Sequence, residues 1–215
     1  NMSYEQAALI EPIAVALHSI RMANFNTGDT AIVLGSGPIG LATIECLKAA
    51  GARLIIVLQR KSIRQEYAKR AGANVVLDPN EVDIAKEVKK LTGGVGVDAA
   101  FETTGAKIGF DTGIDSIKYE GTMVITSIWE GDVSFNPNVL VFSEKKIVGT
   151  IAYRHEFPAT IALMNDGRIK AEGYITKKIA LDDIVEEGFA ALTGPEKKKH
   201  VKILVTPDKS LLSDC

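Results

Sequence analysis

The stretch Ala31-Ile32-Val33-Leu34-Gly35-Ser36-Gly37-Pro38-Ile39-Gly40 constrains the fold of this chain more than any other. An apolar run enters a glycine turn, and a helical pattern follows it as far as residue 50. Gly35, Gly37 and Gly40 have the G-x-G-x-x-G spacing. The first glycine permits a tight turn, the second lets the backbone approach a pyrophosphate, and the third lets helix and strand pack closely. Pro38 suits a first helical turn, where a missing N–H is no loss. The free N–H groups and positive dipole end of that helix then face an anion. The spacing alone is a weak signal. A readable strand before it and a helix after it make it a dinucleotide-binding fingerprint.

Strands and helices alternate from there. The pattern predicts strands at 31–34, 53–58, 74–77, 97–101, 121–125 and 146–149, and helices at 38–50, 62–71, 82–91 and, more weakly, 107–118. Short apolar strands with little polar alternation indicate a parallel sheet covered on both faces. The expected fold class is therefore α/β, a Rossmann-type, doubly wound, six-stranded parallel sheet. Gly51, Gly72 and Gly121 fall where helix C-terminal caps are expected. Residues 4–23 read as a helix with a bend near Pro12. The tail departs from the βα pattern, with helices at 155–165 and 181–192 and strands at 174–179 and 201–206. It is expected to lie beside the sheet or to belong to a neighbouring domain. The division is 1–24 as a linking helix, 25–154 as the dinucleotide-binding domain and 155–215 as the C-terminal segment.

Composition excludes several classes of function. The chain has 215 residues, 46% of them hydrophobic, which is enough for a sizeable core. With 25 Lys plus Arg against 27 Asp plus Glu, the net charge is −2, which argues against a nucleic-acid or membrane-surface protein. The run Lys197-Lys198-Lys199-His200 reads as a solvated loop. Cys46 lies among apolar helical residues, Cys215 is terminal, and a reducing, cytoplasmic setting fits. No apolar run is long enough to span a membrane, and no signal peptide is visible. The helical pattern begins within a few residues of Asn1, which suggests a piece of a longer protein.

The end of the second strand should read the adenosine ribose. A carboxylate there would take the 2′-hydroxyl of NAD. The residue is Gln59, followed by Arg60 and Lys61, with Arg64 one helical turn later, and no Asp or Glu occurs between Glu45 and Glu66. Guanidinium groups grip a 2′-phosphate that a carboxylate would repel. The pattern leans toward NADP, with NAD as the alternative if Arg60 and Lys61 are solvated loop charges. Phe101-Glu102-Thr103-Thr104-Gly105 and Thr126-Ser127-Ile128 follow the fourth and fifth strands, on the edge where cofactor binds in such folds, and Thr103 is a candidate contact. Glu11 is a carboxylate within an apolar helix, and His18, seven residues on, is too far for an i, i+4 metal pair and reads as structural. His155 and His200 have no supporting ligand cluster, and no C-x-x-C, H-E-x-x-H or G-x-S-x-G motif occurs.

Together these motifs resemble the zinc-type medium-chain alcohol dehydrogenases, most closely their polyol branch of butanediol, sorbitol and threonine dehydrogenases. The markers are residues 8–16 (ALIEPIAVA), the Leu34-to-Gly40 loop, Ala71-Gly72-Ala73, the Phe101-to-Gly105 loop, Ser134-Phe135-Asn136-Pro137-Asn138 and Val201-Lys202-Ile203-Leu204-Val205. They span nearly the whole chain in order. The resemblance implies a Glu11 role at the catalytic zinc, Val15 packing on the nicotinamide, and Ile39 at the pyrophosphate. It implies Gln59 and Arg64 at the adenosine ribose, and backbone of Thr126, Ser127, Ile128, Ile151, Ala152 and Tyr153 at the nicotinamide carboxamide. Lys202 stands where relatives often carry a base near the pyrophosphate.

Two departures matter. Gln59 replaces the family's ribose carboxylate, which puts NAD preference in doubt. Ala152 stands where sorbitol dehydrogenases carry an Arg, with Arg154 two residues on, so sorbitol is less favoured. The family's N-terminal catalytic domain, with its Cys and His-Glu zinc ligands, is not in this sequence. The chain is therefore expected to be a cofactor domain that binds dinucleotide and is inactive alone, from an enzyme acting on a small alcohol or ketone as a homodimer or homotetramer. A zinc-free quinone-reductase-like enzyme and a non-catalytic NAD(P)-binding module are the alternatives.

Overall fold

The computed structural model describes residues 2–212; Cys215 lies outside them. Helix α1 (Tyr4–Met22) starts at a capping box. Ser3 Oγ accepts from the Gln6 N–H, and the Gln6 side chain accepts from the Ser3 N–H. Pro12 sits inside this helix without ending it. Its missing N–H leaves the carbonyl of Ala8 without a ladder donor, and Ala8 is exposed, so water can serve instead.

Strand β1 (Thr30–Leu34), helix α2 (Pro38–Ala49), β2 (Leu54–Leu58), α3 (Arg64–Ala71), β3 (Val75–Leu77), α4 (Ile84–Leu91), β4 (Val97–Glu102), α5 (Lys107–Ser116), β5 (Ile117–Ile125), α6 (Asn138–Val141) and β6 (Lys146–Gly149) follow. The six strands form one sheet in the order β3-β2-β1-β4-β5-β6, every pair parallel. The order reverses between β1 and β4, which makes their carboxyl ends the switch point.

Alternation along the strands fills two cores. Ala31 and Val33 of β1, Ile55 and Val57 of β2, and Ala99 and Phe101 of β4 face the side covered by α1 and α2. Ile32, Leu34, Ile56, Leu58 and Ala100 face the side covered by α4 and α5. Phe101 is fully buried, and a side chain of that size contributes about 3 kcal/mol through burial.

Several elements differ from the sequence reading. Strand β5 starts at Ile117, so Gly121 is not a helix cap but lies within a strand. The β4–β5 register shifts between Val97 and Ala99, and Glu120 has φ +59. A Cβ on Gly121 would lie 3.0 Å from Lys118 O, so the bulge packs tightly at this glycine. Helix α7 (Phe157–Asn165) begins two residues late, with Pro158 in its first turn. The helix expected over 181–192 breaks into a 3₁₀ turn (Leu181–Asp183), a π turn (Ile184–Phe189) and the short α8 (Ala190–Thr193). Gly188 lies in the π turn, where a Cβ would meet Ile179 Cδ1 at 3.2 Å, so the turn packs closely on a strand. The basic run is not a loop, because Lys197, Lys198 and Lys199 lie in a 3₁₀ turn, Pro195–Lys199.

The tail forms its own two-stranded parallel sheet, β7 (Ile175–Ala180) with β8 (Lys202–Thr206). It is tied to α1 and α2. Gln6 Nε2 donates to Glu172 at 2.5 Å, Lys178 pairs with Glu5 at 2.7 Å, and the Lys170 N–H donates to buried Glu45 at 3.1 Å.

Candidate functional site

The glycine loop lies at the switch point. Gly35 (φ +97) leaves β1, and its N–H donates to Leu58 O on one side. On the other side, Thr103 donates to Leu34 O through its N–H at 3.3 Å and its Oγ1 at 2.8 Å. Gly37 caps α2, Pro38 opens it, and Leu41 N–H is bonded back to Gly37 O. The amides of Ile39 and Gly40 precede that bond, at the positive end of the helix. A Cβ on Gly40 would lie 2.1 Å from Gly35 O, so that position admits only glycine. A Cβ on Gly37 would meet nothing within 4 Å, so open space remains above the helix end. An anion would occupy that space.

A cleft of about 420 Å³ opens there, lined by Gly35, Ser36 and Gly37, by Gln59, Arg60 and Arg64 from the end of β2, and by Thr103 and Thr104 from the end of β4. Pro79 and Asn80 also line it, residues that the sequence reading did not single out. Their signal was available, because they follow β3 on the same sheet edge. Gln59 holds the loop from below. Its Oε1 accepts from the Ser36 N–H at 3.0 Å and from Ser36 Oγ at 2.9 Å, and its Nε2 donates to Arg60 O at 3.0 Å. Asp78 organises the neighbouring turn by accepting from the Lys61 and Asn80 N–H groups at 2.7 and 2.8 Å. The Asn80 backbone bond leads in holding its carboxyl below the usual range, and Arg60 adds to the effect.

Glu102 is buried at the end of β4 and acts as a clamp. Its carboxylate accepts from the N–H of Thr104 and of Gly105 and from the hydroxyls of Thr104 and Ser127. Its carbonyl accepts from the N–H groups of Thr126 and Ser127. Thr126 Oγ1 also donates to Ser19 Oγ at 3.0 Å, which ties α1 to this edge. Ile125 and Gly149 are paired, so Thr126–Ile128 and Ile151–Tyr153 leave adjacent strand ends. Ile128 and Ile151 are 84% and 76% exposed, an apolar rim beside the cleft, and Ala152 has φ +51.

Of the expected cofactor residues, Gly35, Gly37, Gln59, Arg60, Arg64 and Thr103 line the cleft, whereas Pro38, Ile39, Gly40, Lys61, 126–128 and 151–153 do not. Lys202 opens β8, with its carbonyl accepting from Thr176 Oγ1, and does not line the cleft. Glu11 is exposed on α1. A zinc ion takes three or four protein donors, and among the described residues no group of three or more His, Cys, Asp or Glu side chains could hold a metal. Those residues do not hold zinc by themselves; Glu11 would at most add one ligand to others.

His18, whose spacing suggested a structural residue, is buried against a carboxylate. Its Nδ1 lies 3.2 Å from Oε1 of Glu156, which also accepts from Arg21 at 3.0 Å. Glu156 Oε2 accepts from the N–H groups of Arg154 and His155. Burial alone would raise the Glu156 pKa, but these donors, led by Arg154 N–H, hold it at about 2.

A parallel sheet ordered 3-2-1-4-5-6, with a glycine turn at its switch point, defines a doubly wound domain of the Rossmann class. The chain belongs to the zinc-binding dehydrogenase family, whose model matches residues 38–166, more than half of its length. It is 46% identical over 209 residues to (R,R)-butanediol dehydrogenase of Bacillus subtilis strain 168, covering 97% of this chain and 59% of that protein. The crystal structure of 2R,3R-butanediol dehydrogenase from Bacillus subtilis superposes with a TM-score of 0.90 at 46% identity, covering 96% of this chain and 59% of the other. A protein of Sinorhizobium meliloti 1021, solved bound to NADP, superposes with a TM-score of 0.86 at 26% identity, covering 94% and 59% of the two chains. The family agrees with the one that the motifs resemble. The chain thus spans less than two thirds of the length of the relatives it matches.

Proposed function

We propose that this chain is the cofactor-binding part of a zinc- and NAD(P)-dependent secondary-alcohol dehydrogenase that prefers NADP and acts on a small vicinal diol or hydroxyketone of the butanediol–acetoin type. The observation that carries the reading is the cleft joining the open end of α2 to Gln59, Arg60 and Arg64. The pyrophosphate lies on the amides of Ile39 and Gly40, and the adenosine ribose lies beside Gln59, Arg60, Lys61 and Arg64. The backbone of 126–128 and 151–153 holds the nicotinamide, with Val15 of α1 against the ring. The chain's part in catalysis is to orient the hydride carrier. Zinc, when bound, supplies Lewis acidity at the alcohol oxygen; Glu11 adds one ligand to donors outside the described residues.

The division at 24 and 154 belongs to this reading, with the β7–β8 segment returning toward a catalytic domain. So does a homodimer or homotetramer, built by extending the sheet past β6. That strand is an edge, and Val141 and Phe142 beside it are 67% and 78% exposed. A reducing, cytoplasmic setting is consistent with the buried free thiol of Cys46. Among the described residues no helix is long and apolar enough to cross a membrane.

Titration of the chain with NADPH and NADH, followed by nicotinamide fluorescence, tests the binding half. The expected result is tighter binding of NADPH, with no turnover of 2,3-butanediol or acetoin by the chain alone. Turnover by this chain alone would overturn the reading that catalysis needs residues outside it, and failure to bind either nucleotide would overturn the whole.

A further inference from the structure

Beyond Arg60 and Arg64 the cleft continues into a second cavity of about 540 Å³ that shares Gln59, Arg60, Arg64 and Asn80 with it. One wall is the end of β2 and the turn after it, Gln59 to Ser62. The other wall comes from the distant C-terminal segment, as Leu192, Lys197 and Lys198. Five cationic side chains line this cavity, Arg60, Lys61, Arg64, Lys197 and Lys198, and no carboxylate does.

Asp78 lies near enough to feel the charge of Arg60 but makes no ion pair with it. Asp78 accepts from the backbone of Lys61 and Asn80, and Glu196 pairs with Lys199 at 2.5 Å. None of Arg60, Lys61, Lys197 and Lys198 forms an ion pair within 4.0 Å among the described residues. The walls are tied together where they meet, because Arg64 Nη2 donates to His200 O at 3.4 Å. The next residue, Val201, donates its N–H to Thr176 Oγ1 at 3.1 Å and so fixes the turn to β7. Crowding like charges in one cavity is unfavourable until an anion shares them. A dianionic phosphate ester offers three acceptor oxygens, enough for donors from both walls.

We propose that Lys197 and Lys198 complete the pocket for the 2′-phosphate of NADP(H), closing it from the C-terminal side opposite Arg60 and Lys61. This rests on the NADP reading and adds to it a pair of specificity-determining residues far away in sequence. The cavity joins the glycine cleft, so a phosphate held here belongs to the same molecule whose pyrophosphate sits at the start of α2. The C-terminal segment thereby becomes part of cofactor selection.

Calorimetric titration with NADPH and NADH, in low and high salt, compares the wild-type protein with Lys197→Gln/Lys198→Gln and with Arg60→Ala. Both lysines are exposed, and circular dichroism checks that the fold is kept. The expected result is an NADPH affinity about tenfold weaker in the double variant, NADH affinity within about twofold, and a shallower salt dependence for NADPH alone. If Arg60→Ala weakens NADPH while the double variant does not, the lysine proposal fails and the NADP reading stands. Equal weakening of both nucleotides by the double variant also overturns the proposal, because the lysines would then act on the whole cofactor. If the wild type binds NADH as tightly as NADPH, both readings fail together.

Discussion

Ser36 gives both of its donors to one oxygen. Its N–H and its hydroxyl lie 3.0 and 2.9 Å from Gln59 Oε1, and Ser36 is fully buried. Gln59, just past the end of β2, is thus a brace for the glycine loop, and in the proposed reading it also neighbours the ribose. Gln59→Glu keeps an acceptor at this place and adds a negative charge facing the ribose. It is expected to weaken NADPH by more than about tenfold and to spare NADH, read by fluorescence titration. Gln59→Ala instead orphans the buried Ser36 N–H and should lower stability by about 1–3 kcal/mol in urea unfolding.

The two glycines of the loop should separate folding from binding. At Gly40 an added Cβ would strike Gly35 O, so Gly40→Ala must distort the loop and lower the melting temperature. At Gly37 the Cβ meets nothing, and its φ of −72 suits any residue. Gly37→Ala should melt with the wild type yet bind either dinucleotide about a hundredfold more weakly, because the methyl occupies the space of the pyrophosphate. Unchanged affinity in Gly37→Ala would place the pyrophosphate elsewhere.

Glu156 joins α1 to the start of α7 with its pKa held at about 2. A carboxyl depressed in the folded state stabilises above its unfolded pKa, near 4.5, and that contribution is lost as pH falls toward 2. Glu156→Gln should therefore melt below the wild type at pH 7, and the gap should narrow steadily below pH 4.5. A gap independent of pH would assign the loss to packing alone.

Glu45 shows the opposite sign. Burial between α2 and the C-terminal segment raises its pKa to about 7, although the Lys170 N–H bond opposes the shift. A carboxyl raised in this way stabilises most below 4.5, and the contribution is lost as pH rises through 7. Glu45→Gln should be more stable than the wild type at pH 8, by about 2 kcal/mol, and should lose that advantage at pH 4.5. Thermal melts across this range provide the check.

Much of the sheet edge was legible because each signal is local. Gly35, Gly37 and Gly40 encode their own turn, and the apolar runs 31–34 and 97–101 each carry enough burial to specify a strand. The breaks in the reading have a common origin. Gly121 resembles a helix cap until β4 imposes a bulge beside it. The 181–192 stretch has helical spacing, but it folds as 3₁₀, π and short α pieces, with Gly188 of the π turn close against Ile179 of β7.

Residue order and spacing alone carried the α/β alternation, the glycine turn and the basic end of the second strand. Hydrogen-bonded turns, helix periodicity and strand alternation act over a few neighbours, and this information is contiguous in the chain. Tertiary structure alone decided that Gln59 braces Ser36, that Glu102 locks two loops, and that Lys197 and Lys198 face Arg60 across one cavity. Gln59 and Ser36 are 23 residues apart, Glu102 and Ser127 are 25 apart, and the lysines meet Arg60 from the far end of the chain; these encounters depend on strand order and on how the tail docks, which no local pattern encodes.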